Sequence, residues 1–381
     1  MPSNILMFVE DPGAANYLMG LPPHFTKQGL TTHLVSAGNA TGYLHERGIA
    51  AEDFTSSLLY PSPRSPSDYR IALIGTSENP DSPGLQLIKQ CRSIGICSVG
   101  VVDAYANAAY RFRGRAQNAL AYAPDWLIVP DSTTQDAFCS LGFPVDHILI
   151  GGHPHYDTIR AERDRLSQGE RAILRQKWFP DAAPERPVLV FAAEISTGFA
   201  PAEFRRAPDY TLQGWGLNHG RTEIVLEEFI DAVASLQPLP YLVLRLHPKN
   251  TQEEFARYND AFDKFSQGGV PLEMIYAADA IVGMTSMLLL EAALLDRPTL
   301  SILPRVCERE WLPSIRAGLT PCATTRPETH NLMHDLLTQI YLQSGIANTD
   351  IMNDRYSNIA EIMPSGSSER IAAFIAGLLS S

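Results

Sequence analysis

The sequence predicts an α/β protein built from two doubly wound domains, each on a parallel sheet. Three observations carry that reading. Near-continuous apolar runs of strand length alternate with helix-like periodicity between residues 4 and 152, the pattern of a sheet covered by helices on both faces. A charged stretch at 153–186 then ends in prolines with no strand signal, and a second α/β series starts at 187. The length of 381 residues exceeds what one core usually serves, and hydrophobic residues at 45% can fill two.

The elements follow in order. "NILMFVE" (4–10) reads as a strand, "DPG" as a turn, and an apolar-periodic helix runs to about residue 28. "THLVSAG" (32–38) is a strand, followed by a helix to about 48, and "YRIALIGTS" (69–77) is the next strand. A helix over "GLQLIKQCRSIG", strands at 96–104 and 125–132, a helix over "TTQDAFCSLG" and a strand at 147–152 complete the first series. In the second, "PVLVFAAE" (187–194) is a strand, 195–221 a long loop, "RTEIVLEEFIDAVASL" a helix and "YLVLRLHP" (241–248) a strand. A helix over "TQEEFARYNDAF", strands at 280–284 and 298–303, and a helical tail follow. The expected division is a first domain at 1–152, a helical linker at 153–186, a second domain at 187–365 and a C-terminal helix at 366–381 whose apolar face suits packing on the first domain.

Charge and composition exclude several classes. The net charge is -12, from 30 Lys and Arg against 42 Asp and Glu, without a run of like charges, which argues against non-specific binding to nucleic acid or an anionic membrane. Five scattered cysteines form no C-x-x-C pair, which fits neither a disulfide framework nor a structural zinc site. The N-terminal strand carries a glutamate rather than a signal-peptide pattern, and no apolar run approaches the length of a transmembrane helix. A soluble, unprocessed, cytoplasmic protein is expected, with a peripheral membrane contact left open.

Open α/β sheets bind ligands at the carboxyl ends of their strands, so residues just after strands are the informative ones. In "EDPGAANYLMG", Asp11 starts a helix and Gly13 removes a side chain where backbone N–H groups could face a ligand, although Asp11 equally suits a plain helix cap. The loop is not a G-x-G-x-x-G fingerprint, which disfavours a nicotinamide cofactor. Asp103 ends a strand ahead of Tyr105, Asn107, Tyr110, Arg111 and Arg113, and a strand-terminal carboxylate there suits a general base. At 150–157, "IGGHPHYD" reads as a hinge with one cleft-facing histidine, His153 or His155, in preference to a metal pair.

In the second half, Glu194, Ser196 and Thr197 follow a strand and suit either phosphate contacts or a polar turn. Arg245, His247 and Lys249 alternate along "LRLHPKN", so a continued strand would place three potential cations on one face. In "IVGMTSMLLLEAALLDRP" the strand ends at Gly283, and Thr285 or Ser286 starts a helix whose free N–H groups favour phosphate. Glu291 sits in the otherwise apolar helix, costly to bury unless it accepts hydrogen bonds such as those of a ribose diol.

These residues resemble the glycosyltransferase B (GT-B) superfamily, which pairs two facing Rossmann-like domains around an interdomain cleft and includes UDP-N-acetylglucosamine 2-epimerase-like proteins. "LHP" at 246–248 is similar to the His-Pro motif of bacterial polysaccharide-type transferases, and "TSMLLLEA" at 285–292 is similar to their hydroxyl-rich loop and to the ribose-binding glutamate of the superfamily. The resemblance implies that His247, Thr285 and Ser286 hold phosphate and Glu291 the ribose. It departs where the epimerases carry a Gly-Gly-rich turn before the glutamate, which "GMTSMLLLEA" lacks.

The function expected from the resemblance is an inverting, metal-independent glycosyltransferase moving a sugar from a CMP- or UDP-linked donor to the hydroxyl of a carbohydrate or small-molecule acceptor. Asp11 or Asp103 would be the base, and His247 and Lys249 would stabilise the leaving nucleotide. No cofactor is implied beyond the nucleotide sugar as co-substrate, and no nucleic-acid partner. Polysaccharide or natural-product glycosylation is the implied setting. A nucleotide-sugar epimerase or hydrolase, and a non-catalytic nucleotide-sugar binding protein, stay open as alternatives; base, sugar, acceptor and oligomeric state are not fixed by these residues.

Overall fold

A computed structural model of the chain describes residues 5–54, 69–105, 107–166, 168–196, 205–343 and 365–380. It divides into two units, one holding the residues up to Thr158 together with the C-terminal helix, the other starting at Ile159. The first unit carries β1 (Ile5–Val9), β2 (Thr32–Ser36), β3 (Glu52–Asp53), β4 (Ile71–Gly75), β5 (Cys97–Val101), β6 (Trp126–Val129) and β7 (Ile148–Ile150). They form one parallel sheet in the order β3-β2-β1-β4-β5-β6-β7.

All five residues of β1 are buried because the period-two alternation sends them to two different cores. Ile5, Met7 and Val9 face a layer with Tyr17, Leu18, Phe25, Ile371 and Ile375. Leu6 and Phe8 face Leu85, Ile88, Phe112 and Phe138. The helix Pro83–Ile94 shows why the chain turns where it does: Ser82 Oγ accepts the Gly84 N–H at 3.1 Å, Pro83 takes the first turn, and Gly95 ends it at φ +73°.

The C-terminal helix Ser367–Ser380 is locked onto this unit at two points. Asp157 accepts the Gly366 and Ser367 N–H groups at 3.2 and 2.8 Å, and Arg370 donates to the Gly151 carbonyl at 2.8 Å. Gly151 permits the approach, since a Cβ there would lie 2.7 Å from Ile128 and 3.0 Å from Ile371.

The second unit carries β8 (Val188–Ala192), β9 (Tyr241–Arg245), β10 (Lys264–Ser266), β11 (Ala280–Gly283), β12 (Thr299–Ile302) and β13 (Cys322–Ala323), all parallel in the order β10-β9-β8-β11-β12-β13. Phe191, Phe229, Leu244, Phe255, Val282 and Leu336 are among its core. The unit boundary falls inside the stretch expected as a linker, where helices Pro154–Arg165 and Gln168–Trp178 form. The second of these is fastened to the second sheet: Arg171 and Arg175 each reach Asp279 at 2.6 Å, and Asp279 also accepts the Val188 N–H at 2.7 Å. Burial opposes ionisation of Asp279, yet the two arginines and that N–H hold its pKa below the ordinary carboxylate value.

Two local expectations are corrected. The stretch expected as a helix over 251–262 is a 3₁₀ run, Glu253–Ala261. The strand Lys264–Ser266 and the helix Pro271–Ala277 appear where no element was expected, because a three-residue strand with one apolar residue has no alternation to detect.

In both sheets the order reverses beside the first strand. β1 pairs β2 on one side and β4 on the other, and β8 pairs β9 on one side and β11 on the other. The crevices at the carboxyl ends of β1 and β4, and of β8 and β11, are therefore topological switch points, the usual ligand positions in doubly wound sheets.

Candidate functional site

Ala192 of β8 stands opposite Arg245 of β9 and opposite Gly283 of β11. Two residues further along the chain from each of these lie Glu194, His247 and Thr285, so three chemically distinct side chains follow the carboxyl ends of adjacent strands. Glu194 Oε1 accepts the Thr285 N–H at 2.6 Å, and Oε2 accepts the Thr285 hydroxyl at 3.0 Å. Gly283 allows the strand ends to approach, a Cβ there lying 3.3 Å from both Ala192 Cβ and its carbonyl oxygen.

Sequence reasoning missed the group that organises this end of the sheet. Arg221, first residue of the helix Arg221–Ala234, is 2% exposed and donates to Glu194 at 2.7 Å, to the Thr285 hydroxyl at 3.2 Å and through two nitrogens to Glu308. Arg305 donates to the other Glu308 oxygen at 2.7 Å. Burial alone would lower the Arg221 pKa, but Glu308 and Glu194 outweigh it and hold the guanidinium above its ordinary value. Two carboxylates and two guanidiniums thus cancel. The available signal was an arginine at a helix N-terminus, where the macrodipole disfavours a cation unless anions meet it.

Ser196 holds the same helix in place. Its hydroxyl donates to Glu223 and accepts the Thr222 N–H at 3.1 Å, while Thr222 Oγ1 donates to the Glu194 carbonyl at 2.8 Å. Thr197 lies outside the described residues.

His247 is half-buried and oriented by its neighbours. Its Nδ1 accepts the Lys249 backbone N–H at 3.1 Å, and the His247 backbone N–H donates to Asn250 Oδ1 at 3.1 Å. In the neutral ring the proton therefore sits on Nε2. Burial, and then the Lys249 charge, lower its pKa, with Glu194 partly opposing them. His247 at neutral pH is thus an uncharged hydrogen-bond donor.

Arg245 does not join this group. β9 ends at Arg245, and its guanidinium turns to Ser266 Oγ at 2.9 Å and the Gly268 carbonyl at 2.6 Å. The alternation expected to align Arg245, His247 and Lys249 stops with the strand. Lys249 itself is exposed.

The helix Met287–Leu294 begins next to Thr285. Ser286 caps it, its hydroxyl accepting the Leu288 N–H at 3.3 Å. Glu291 lies in this helix, 8% exposed.

Asp11, Gly13 and Asp103 belong to the first unit. Asp11 precedes the helix Pro12–Leu18 but makes no side-chain capping bond. Asp103 is seated against Gly13, where a Cβ would fall 2.0 Å from its Oδ2, and its Oδ1 lies 3.2 Å from Arg111 Nη1 without hydrogen-bond alignment. Arg111 also stands 3.8 Å from Glu78, to which Asn107 donates at 3.1 Å.

Of the two histidines at 150–157, His153 is buried. Its ring lies 4.5 Å from that of Tyr17 and stacks at 4.4 Å on Tyr156, and burial, with His155 adding, holds its pKa well below the ordinary value. Among the described residues no group of three or more His, Cys, Asp or Glu side chains is arranged for a metal ion, and no helix is long and apolar enough to cross a membrane.

Two parallel sheets, each doubly wound about its own switch point, give the chain the two-domain Rossmann-like fold of the GT-B type. Among solved structures, UDP-GlcNAc 2-epimerase from Neisseria meningitidis bound to UDP-GlcNAc is similar with a TM-score of 0.63 at 13% identity, over 99% of this chain and 100% of that one. A glycosyltransferase from Rickettsia africae is similar with a TM-score of 0.63 at 10% identity, over 100% of this chain and 99% of that one. At such identities the likeness carries the fold.

A curated relative, lipid-A-disaccharide synthase from Azoarcus sp. (strain BH72), is 27% identical over 262 residues, 63% of this chain. The match spans 58% of that relative's length. No family model matches the chain.

Proposed function

We propose that the chain is a glycosyltransferase that moves a sugar from a nucleotide-activated donor, a UDP-sugar first and a CMP-sugar second, to an acceptor hydroxyl. The single observation that carries this reading is that Glu194, His247 and Thr285 follow the carboxyl ends of the adjacent strands β8, β9 and β11, at the switch point beside the start of the helix Met287–Leu294. His247 Nε2–H, the Lys249 ammonium and the first N–H groups of that helix are the donors for the nucleotide phosphates. They would stabilise the charge that builds on the departing nucleotide as the glycosidic bond breaks. Glu291 would accept from the ribose hydroxyls.

In this reading the first unit supplies the base, Asp11 or Asp103, which takes the acceptor proton as the oxygen attacks the anomeric carbon, with inversion. The UDP-GlcNAc bound in the Neisseria epimerase supports a UDP-sugar as the first donor to test. The test is nucleotide release measured with and without an acceptor panel. Release that requires the acceptor and falls at least a hundredfold in Asp103→Asn or Asp11→Asn supports transfer.

The Neisseria likeness favours a second reading, a nucleotide-sugar epimerase or hydrolase on the same fold. Nucleotide release or donor epimerisation without any acceptor would select it.

A further inference from the structure

We propose that the β1–β4 switch point of the first unit is a binding site in its own right, and that it takes a hydroxyl- or ammonium-bearing group rather than an anion. The inference deepens the proposed function by naming the acceptor's chemistry, and rests on that reading only in calling the ligand an acceptor.

The second sheet supplies the contrast. Two residues beyond the paired Ala192 and Gly283 stand Glu194 and Thr285, closed on each other by two hydrogen bonds. Two residues beyond the paired Phe8 and Ile74 stand Glu10 and Thr76, again a glutamate and a threonine. This pair is open. Among the described residues Glu10 Oε2 and Thr76 Oγ1 have no hydrogen-bond partner, although Glu10 is 8% and Thr76 4% exposed.

A buried carboxylate oxygen left without a donor and a buried hydroxyl left without a partner destabilise a fold unless a ligand or water completes them, so the two together at the ends of paired strands, at a switch point, mark an incomplete site. The carboxylate is also held for the purpose. Asn79 Nδ2 donates to Glu10 Oε1 at 2.6 Å, which leaves Oε2 as the oxygen still to be satisfied. Gly38, at φ +54°, lies against it, and a Cβ there would come 3.2 Å from Glu10 Cγ. Asp103 Oδ1, after β5, is a third oxygen without a hydrogen-bond donor.

Charge decides the class of ligand. The carboxylates of Glu10, Asp11, Glu78 and Asp103 gather at these strand ends, and Arg111 already lies between Asp103 at 3.2 Å and Glu78 at 3.8 Å. Arg113 is set over the Tyr110 ring at 4.4 Å. A phosphate or carboxylate would face four carboxylates against the two guanidiniums of Arg111 and Arg113, whereas a hydroxyl or ammonium group supplies the donor that Glu10 Oε2 lacks.

The experiment is saturation-transfer NMR on the full chain with methyl glucoside, glucosamine and glucose 6-phosphate as probes, and UDP titrated in parallel. We expect saturation of methyl glucoside and glucosamine but not of glucose 6-phosphate. Glu10→Gln should weaken glucosamine at least fivefold while leaving UDP affinity within twofold. Thr76→Val, which removes the orphaned hydroxyl at constant volume, should also weaken glucosamine and leave Tm at or above that of the wild type.

Equal binding of glucose 6-phosphate, no binding of either uncharged or amino sugar, unchanged glucosamine affinity in both variants, or a lowered Tm in Thr76→Val would each overturn the inference. Glucosamine binding that depends on Glu10 in a protein that binds no nucleotide would support this site while defeating the proposed function.

Discussion

Under the proposed function a nucleotide phosphate is received at the helix start beside Thr285, and replacing Glu194 with glutamine should then tighten nucleotide binding. The Glu194 carboxylate accepts the Thr285 N–H at 2.6 Å and the Thr285 hydroxyl at 3.0 Å, donors that the helix start would otherwise offer to an anion. A phosphate bound there would lie about 4 Å from that carboxylate, and two unit charges at about 4 Å repel by about 4 kcal/mol at an effective dielectric near 20. Arg221, 2.7 Å away, offsets part of the field, and the side chain is 17% exposed. We therefore take about 1–2 kcal/mol as the net penalty, which corresponds to about 5–30-fold in affinity. Glutamine keeps a carbonyl to accept the Thr285 N–H and leaves Arg221 its contacts to Glu308. Isothermal titration of UDP and CMP into wild type and Glu194→Gln is the assay, repeated at two salt concentrations. Tighter binding with a steeper salt dependence is expected, since one more net positive charge faces the ligand. Equal or weaker binding to the variant would refute the reasoning, because it would mean that Glu194 lies off the anion's path or itself receives the ligand.

Further predictions follow from the surrounding geometry. Gly13→Ala would push a methyl onto Asp103 Oδ2, 2.0 Å from the ideal Cβ position, so nucleotide release with acceptor should fall about tenfold or more while nucleotide affinity stays unchanged. Asp279→Asn should destabilise the protein by about 2–4 kcal/mol in urea unfolding, the cost of breaking a partly buried ion cluster, because Arg171 and Arg175 lose their shared partner. Stability should also decline as pH falls below about 6.5. His153 is neutral in the fold with a depressed pKa, so the unfolded chain takes up the proton first, and each pH unit below that point costs about 1.4 kcal/mol until the folded pKa is reached. His153→Phe should flatten that slope in thermal melts between pH 5 and 7.5; an unchanged slope would assign the acid sensitivity elsewhere.

Both sheets were legible from apolar strands alternating with helical periods, because strands buried on two faces cannot hide their composition. β1 and β8 are such strands. Thr285 and His247 were legible for a second reason: each follows a strand end, and the topology makes those strands neighbours of β8. Arg245 was misplaced because alternation was carried past the point where β9 stops, and the turn at Pro248 obeys no pleat. Arg221 was invisible in its role because its partner Glu308 is 87 residues away, in a 3₁₀ segment without periodicity. Glu10 looked like the polar end of a strand, and only the lack of a donor at its second oxygen sets it apart. Burial of His153 could not be read from two alternating histidines, since it depends on Tyr17, 136 positions earlier in the chain, closing over the ring.

In the proposed function, the β8–β11 switch point receives a nucleotide through His247 and the helix start beside Thr285. Equilibrium titration of UDP and CMP into the wild type and His247→Ala tests it most directly. Saturable one-site binding of at least one of the two to the wild type is expected, weakened about tenfold or more in the variant. No binding of either nucleotide, or equal affinity in His247→Ala, would contradict it.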